Sequence, residues 1–196
     1  MIRASRASSL AVHRAFLWGV VFFLLALFCV LVPASARSQV DTAAAVAAEG
    51  EKTAEETLPH MVITTEKYGD IVIELYPKLA PKAVERITSL VESGFYNGLW
   101  FHRVESYVIQ TGAIDSDLPK IEGEMFSQKL THEEGMVGMA RLPDDYDSAK
   151  TQFYICKQHL PLMNNEYTLF GKVIQGIDIV KKIKKGDKIK TITIVP

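Results

Sequence analysis

The distribution of apolar and polar residues divides the chain into three parts. Residues 15–32 are apolar without a charged residue among them. From Arg37 to Pro59 the sequence is rich in Ala, Glu and Thr and has no aromatic residue, so it holds nothing on which a core can form. From about residue 60 onward, short apolar periods alternate with turn residues. Val62-Ile63-Thr64-Thr65 and Ile71-Val72-Ile73-Glu74-Leu75 are rich in β-branched residues, with Lys67-Tyr68-Gly69 as a turn between them. Alternation puts Ile71, Ile73 and Leu75 on one face of a strand, predicting a hairpin with one buried side. Pro81 is placed where a helix tolerates proline, at its first turn. Val84, Ile87, Leu90 and Val91 then recur at helical spacing, and Gly94 suits the position just beyond the end. The expectation is a helix over residues 80–93. Between Trp100 and Lys172 no long helical period exists, only short apolar runs separated by Gly, Pro, Asn and Asp, a pattern of many short strands. A second helix is expected near Ile177–Lys184 and a last strand over Ile189–Val195.

The first 36 residues contain Arg3, Arg6 and Arg14 and no acid, then the apolar run, then Pro33-Ala34-Ser35-Ala36. A basic start, an apolar middle and a small-x-small end describe a secretory signal peptide, with cleavage after Ala36. The run is also about 27 Å long as a helix, close to the roughly 30 Å of a hydrocarbon core, so an uncleaved signal anchor is the second reading. Either way the arginines stay in the cytoplasm and the remainder is exported. The expected location is the periplasm, with an inner-membrane anchor facing the periplasm as the alternative. Three organisational parts follow: signal peptide or anchor over 1–36, flexible linker over 37–59 with a reach of about 25 Å, and a folded domain over 60–196.

Charge narrows the functional classes. The 22 basic residues less the three in the leader leave 19, against 23 acidic residues, a formal charge of −4 for residues 37–196. A mildly acidic domain of mixed charge is a poor binder of nucleic acid or of anionic membrane. Membrane association is therefore expected only through the N-terminal segment, if it is retained. Cys156 is the one cysteine left after residue 36, so the exported part has no internal disulfide. His60, His102, His132 and His159 lack metal-ligand spacing, so no metal site is expected.

The candidate chemistry is carried by an ordered series of short strings. Phe101-His102-Arg103-Val104 is followed by Gln110, then Gly138-Met139-Ala140-Arg141, Gln152-Phe153-Tyr154-Ile155 and Tyr167-Thr168-Leu169-Phe170-Gly171-Lys172-Val173. In that order and near that spacing, the series resembles the cyclophilin family of peptidyl-prolyl cis–trans isomerases, over about residues 61–196. The resemblance implies a mainly β fold, a closed eight-stranded antiparallel barrel capped by two helices. It implies rotation about Xaa-Pro bonds as the activity, unfolded or partly folded proline-containing polypeptides as partners, no cofactor, and a monomer.

Such a catalyst needs neither nucleophile nor metal. Amide resonance sets a barrier of about 18–20 kcal/mol. A donor aimed at the prolyl nitrogen binds only the twisted state, in which that nitrogen regains its lone pair, and so favours the transition state over the ground state. An arginine, always charged and with a rigid fork of donors, suits this task. The resemblance assigns it to Arg103 and gives Gln110 the substrate backbone to hold. His102 supports the site, Tyr107, Val108, Tyr154 and Met163 wall a proline pocket, Ala140 and Arg141 line the adjoining groove through their backbone, and Tyr167 donates to a substrate carbonyl.

The chain departs from the family pattern at several of these positions. Tyr107-Val108 stand for the usual Phe-Met, Tyr154 for a second Phe, Leu162 for a frequent Trp, and Thr111-Gly112 for Gly-Gly. The interval from Arg103 to Gln110 is one residue short, with Glu105-Ser106 in place of a Pro-containing pair. A buried phenol costs desolvation unless its hydroxyl has a partner. The expectation is a more polar or shallower pocket, and the rival reading is a catalytically weak module that binds proline-containing segments as a chaperone or scaffold. Structural roles are expected for Phe153 and Phe170 in the core, Trp100 on the outside or under a cap, and Cys156 buried and inert.

Overall fold

A computed structural model of the chain describes residues 57–196. The segment read as signal peptide or anchor and the linker up to residue 56 lie outside the described residues. The last linker residues already belong to the domain, since the Pro59 carbonyl accepts the Leu75 N–H at 2.9 Å.

The hairpin expected from alternation is formed by β1 (His60–Thr65) and β2 (Gly69–Leu75), with Ile63 opposite Ile71. Ile71, Ile73 and Leu75 are fully buried. Helix α1 spans Pro81–Glu92 and buries Val84, Ile87, Leu90 and Val91, the stripe read from the sequence. Its first amide groups are satisfied from a distance: the Glu124 carboxylate accepts the N–H groups of Lys82 and Ala83, each at 3.0 Å. That placement also sets negative charge at the positive end of the helix dipole. Five strands follow α1 before the second helix: β3 (Arg103–Val104), β4 (Val108–Thr111), β5 (Met136–Met139), β6 (Phe153–Cys156) and β7 (Leu169–Gln175). Helix α2 (Ile177–Lys182) is two residues shorter than expected, and β8 (Ile189–Val195) is the expected last strand. The eight strands form one antiparallel, curled sheet in the order β3-β4-β6-β5-β7-β2-β1-β8.

The expected closed barrel is corrected on one point: the sheet is open. β3 and β8 are its outer strands and share no ladder. β3 has only two residues, and both pair with β4. The gap is crossed instead by a single bridge between Trp100 and Lys188. Backbone bonds around it run from Gly98 and Phe101 to the carbonyls of Ile189 and Asp187, and from Ile189 and Gly186 to those of Leu99 and Phe101.

Strand alternation then sorts side chains to two sides of this sheet. On β6, Phe153 and Ile155 enter the main core with Val137 and Met139 of β5, Ile109 of β4 and the buried face of α1. Tyr154 and Cys156 point the other way, into a smaller cluster with Val108, Met136 and Leu169. That second face is where the candidate site lies.

Candidate active site

The interval of seven residues between Arg103 and Gln110 is explained by a hairpin. Arg103 of β3 lies directly across from Gln110 of β4, and Val104 across from Ile109. The Glu105 N–H donates to the Val108 carbonyl at 2.8 Å, closing the turn. The shortened interval is thus absorbed by a tight turn, and the pairing of arginine with glutamine is kept. Alternation along β4 puts Gln110 on the same side as Val108, so both face the smaller cluster.

Nine side chains converge on a cavity of about 330 Å³: Arg103, Tyr107, Val108, Gln110, Ala140, Arg141, Tyr154, Met163 and Tyr167. They come from β3, the turn after it, β4, β6, the segment after β5, and the loop between β6 and β7. All were expected at the site. The tenth expected residue, His102, is outside the lining; it contacts Gln152 behind Gln110, and partial burial lowers its pKa below the ordinary imidazole value. A neighbouring depression of about 440 Å³ shares Gln110, Ala140 and Arg141 and continues past Gln152, Ala113 and Lys150.

Arg103 stands at the rim, about half exposed, and its guanidinium is oriented on two sides. Nη2 donates to the Tyr107 hydroxyl at 2.8 Å and Nη1 to Gln110 Oε1 at 3.3 Å. Glu105 lies 3.8 Å from Nε. Of five guanidinium N–H groups, several remain for a ligand. Gln110 is itself held, since its Nε2 donates to Gln152 Oε1 at 2.7 Å, and Gln152 Nε2 donates to the Ala113 carbonyl at 2.9 Å. Gly112, at the turn after β4, has a φ of +108°, and a Cβ there would come within 2.6 Å of the Gln152 backbone. A side chain at this position would push Gln152, and with it Gln110, out of place.

The two phenols that replace the family's phenylalanines are both satisfied by protein partners. Tyr107 accepts from Arg103. The Tyr154 hydroxyl meets His132 Nε2 at 2.8 Å in a buried contact. The extra polarity expected of the pocket is therefore taken up by neighbouring groups. Burial raises the Tyr154 pKa and keeps it neutral.

Arg141 differs from expectation. It was expected to line the groove through its backbone, whereas its side chain is 4% exposed and lines the cavity. It is stacked between the rings of Tyr146, at 4.2 Å, and Tyr167, at 4.7 Å. It donates from Nε to the Glu166 carbonyl at 2.8 Å and from Nη2 to the Glu166 carboxylate at 3.0 Å. A planar cation between two aromatic faces, with hydrogen bonds in its plane, is the arrangement arginine favours over lysine. It braces Tyr167 as a wall of the cavity.

Cys156 is fully buried, and burial pushes its thiol up to about 12, so it stays protonated. Leu162 is almost wholly exposed beside the cavity without lining it. Trp100 packs on the outside, 47% exposed, and Phe153 and Phe170 are in the core. Sequence reasoning gave no role to Gln152, His132, Asn164, Tyr146 or Glu166. Gln152 alone carried a signal, its place in the string that contains Tyr154.

An arginine hydrogen-bonded to its cross-strand glutamine stands beside a small cavity of mixed polar and apolar lining, on an eight-stranded sheet with two helices, and the comparison with known proteins agrees with that arrangement. The family model described as cyclophilin type peptidyl-prolyl cis-trans isomerase/CLD matches residues 60–195. The chain belongs to the cyclophilin-type peptidyl-prolyl cis–trans isomerases. It is 39% identical over 145 residues to a probable peptidyl-prolyl cis-trans isomerase of Brucella suis, covering 65% of this chain and 72% of that one. It is 33% identical over 130 residues to peptidyl-prolyl cis-trans isomerase B of Bacillus subtilis, covering 63% and 90%. Among solved structures, a Cryptosporidium parvum cyclophilin-type isomerase in the presence of the dipeptide Ala-Pro superposes with a TM-score of 0.62 at 26% identity, covering 70% of this chain and 99% of that one. As a cyclophilin-type isomerase the protein acts on the peptide bond that precedes proline.

Proposed function

We propose that this isomerase accelerates Xaa-Pro rotation in proline-containing, unfolded or partly folded polypeptides that have been exported, with Arg103 stabilising the twisted amide. One observation carries the reading: the Arg103 guanidinium is held by Tyr107 and Gln110 at the rim of a cavity of about 330 Å³ in which Val108, Met163 and the rings of Tyr154 and Tyr167 supply apolar wall. A prolyl ring fits such walls. With the ring seated, an oriented guanidinium is available to the nitrogen as it becomes pyramidal. The donor makes this bond only when resonance is lost, so its contribution falls on the barrier and not on ground-state binding. Gln110, held by Gln152, offers its amide to the substrate backbone. Tyr167, whose hydroxyl has no protein hydrogen bond among the described residues, supplies a donor to a substrate carbonyl. The neighbouring depression receives residues before the proline.

The second reading, a binding module without useful catalysis, is favoured by the altered walls Tyr107, Val108 and Tyr154. It is weakened by the hydroxyl partners described above, which leave aromatic rings as the walls of the cavity. Titration with an Ala-Pro peptide, followed by NMR, tests the site. Shifts confined to Tyr107, Val108, Gln110, Met163 and Tyr167 support it, and shifts elsewhere overturn it. The export reading rests on the leader sequence of residues 1–36. Mass measurement of the cell-made protein separates its two forms: a start at Arg37 means a cleaved signal peptide, and an intact Met1 end means an anchor. The domain acts as a monomer in this reading.

A further inference from the structure

His132 belongs to no motif and does not line the cavity, yet it joins two of the cavity's walls. It is fully buried. On one side, its Nε2 lies 2.8 Å from the Tyr154 hydroxyl. On the other, both its backbone N–H and its Nδ1 reach Asn164 Oδ1, at 2.8 and 3.1 Å. The Asn164 oxygen can only accept, so Nδ1 carries the proton, Nε2 is the acceptor, and Tyr154 donates to it. The ring stacks nearly parallel to that of Tyr154, with the planes 12° apart. Asn164 directly follows the 3-10 turn Pro161–Met163, and that turn carries Met163 into the cavity. The Leu160 N–H donates to the His132 carbonyl at 2.7 Å, tying down the start of the same turn.

The other side of Tyr154 is equally specified. Gly138 of β5 is its cross-strand partner. A Cβ at Gly138 would collide with the phenol, coming within 2.6 Å of Tyr154 Cζ. Gly138 therefore leaves room for the ring, and His132 receives its hydroxyl.

We propose that His132 is a positioning residue for the proline pocket, fixing Tyr154 through its hydroxyl and the Met163 turn through Asn164. The inference rests on the reading of the cavity as a proline site. Because His132 contacts Tyr154 and Asn164 and not Arg103, its loss acts on seating of the ring and not on the rotating amide. Ground state and transition state lose the same contact, so KM rises while kcat is kept.

The test measures the concentration dependence of Ala-Pro peptide exchange for the full chain and its variants at neutral pH, on samples shown to be folded by circular dichroism. His132→Leu is expected to raise KM about tenfold, which is about 1.4 kcal/mol of binding, with kcat within about twofold. Tyr154→Phe added to His132→Leu removes the orphaned hydroxyl and should return KM to within about threefold of Tyr154→Phe alone. Should His132→Leu not fold, Asn164→Ala, at a partly exposed position, is expected to raise KM at least about threefold with kcat again kept. An unchanged KM in these variants, a fall in kcat in place of the rise in KM, or no rescue by Tyr154→Phe would each overturn the positioning role and leave the proline reading standing. A wild-type protein with no saturable effect on the peptide overturns the proline reading and the positioning role with it.

Discussion

Replacing Gly138 by alanine adds one methyl group and tests how tightly the pocket wall is built. Gly138 has no left-handed backbone, so its glycine serves space and not conformation. The added Cβ would overlap the Tyr154 ring, at 2.6 Å from Cζ and 3.1 Å from Cε1. The ring cannot simply retreat, because its hydroxyl is engaged by His132 and its body is packed among Val108, Met136 and Leu169. Overpacking of a filled core costs about 1–3 kcal/mol. Loss of the Tyr154–His132 bond adds about 1 kcal/mol. The reduced freedom of the unfolded chain returns about 0.4–1 kcal/mol. The net expectation is a destabilisation of about 2 kcal/mol, seen as a urea midpoint about 1 M lower for a slope near 2 kcal/mol/M. In the same variant the His132 ring signals should move, because the phenol on which they report has been displaced. A midpoint within about 0.2 M of wild type, or unmoved His132 signals, would refute this account of the wall.

Two further outcomes follow from buried charge and burial. Asp187, only 6% exposed in its side chain, pairs with Lys67 and accepts the Lys184 N–H at 2.8 Å, while its carbonyl accepts Phe101 N–H across the open edge. Asp187→Ala should cost about 2 kcal/mol and speed hydrogen exchange at the Phe101 amide, and an unchanged exchange rate there would show that the edge does not depend on this turn. Burial lowers the pKa of His132, and partial burial that of His102, below the unfolded value of about 6.5. The unfolded chain then binds more protons than the native one below that pH, so stability is full above about 6.5 and falls as pH drops toward the lowered native values, by at most about 1.4 kcal/mol per pH unit for each histidine. Urea midpoints between pH 7.5 and 5 should show that slope, and a flat profile would contradict it.

The periodic parts of the fold were legible in the sequence, since local pattern alone decides them. The stripe Val84, Ile87, Leu90, Val91 predicted α1 to within a residue at each end, and Ile71, Ile73 and Leu75 marked the buried face of β2. The lining of the cavity was legible through motif order: Arg103, Val108, Gln110 and Tyr154 lie at strand positions whose side alternation determines, while Tyr107, Ala140, Arg141, Met163 and Tyr167 lie in turns and loops and were legible only from their place in or near the motifs. The open edge was not: it depends on β3 being two residues long, and on whether its backbone meets β8, which no period encodes. His132 was hidden because Thr131, Glu133 and Glu134 surround it with polar sequence, and its burial comes from residues 22 and 32 positions away. Arg141 was hidden for a similar reason. A charged side chain reads as solvated until its partner, Glu166, 25 positions on, is brought beside it.

The central claim is that Arg103 lowers the rotational barrier. It is tested most directly by cis–trans exchange of an Ala-Pro peptide, measured by NMR with wild type and with Arg103→Ala. The account predicts clear acceleration by wild type and a loss of at least about tenfold in the variant, about 1.4 kcal/mol of barrier, with peptide affinity changed by less than about threefold. Equal acceleration by both proteins, or exchange no faster than that of the peptide alone with folded wild type, would contradict it.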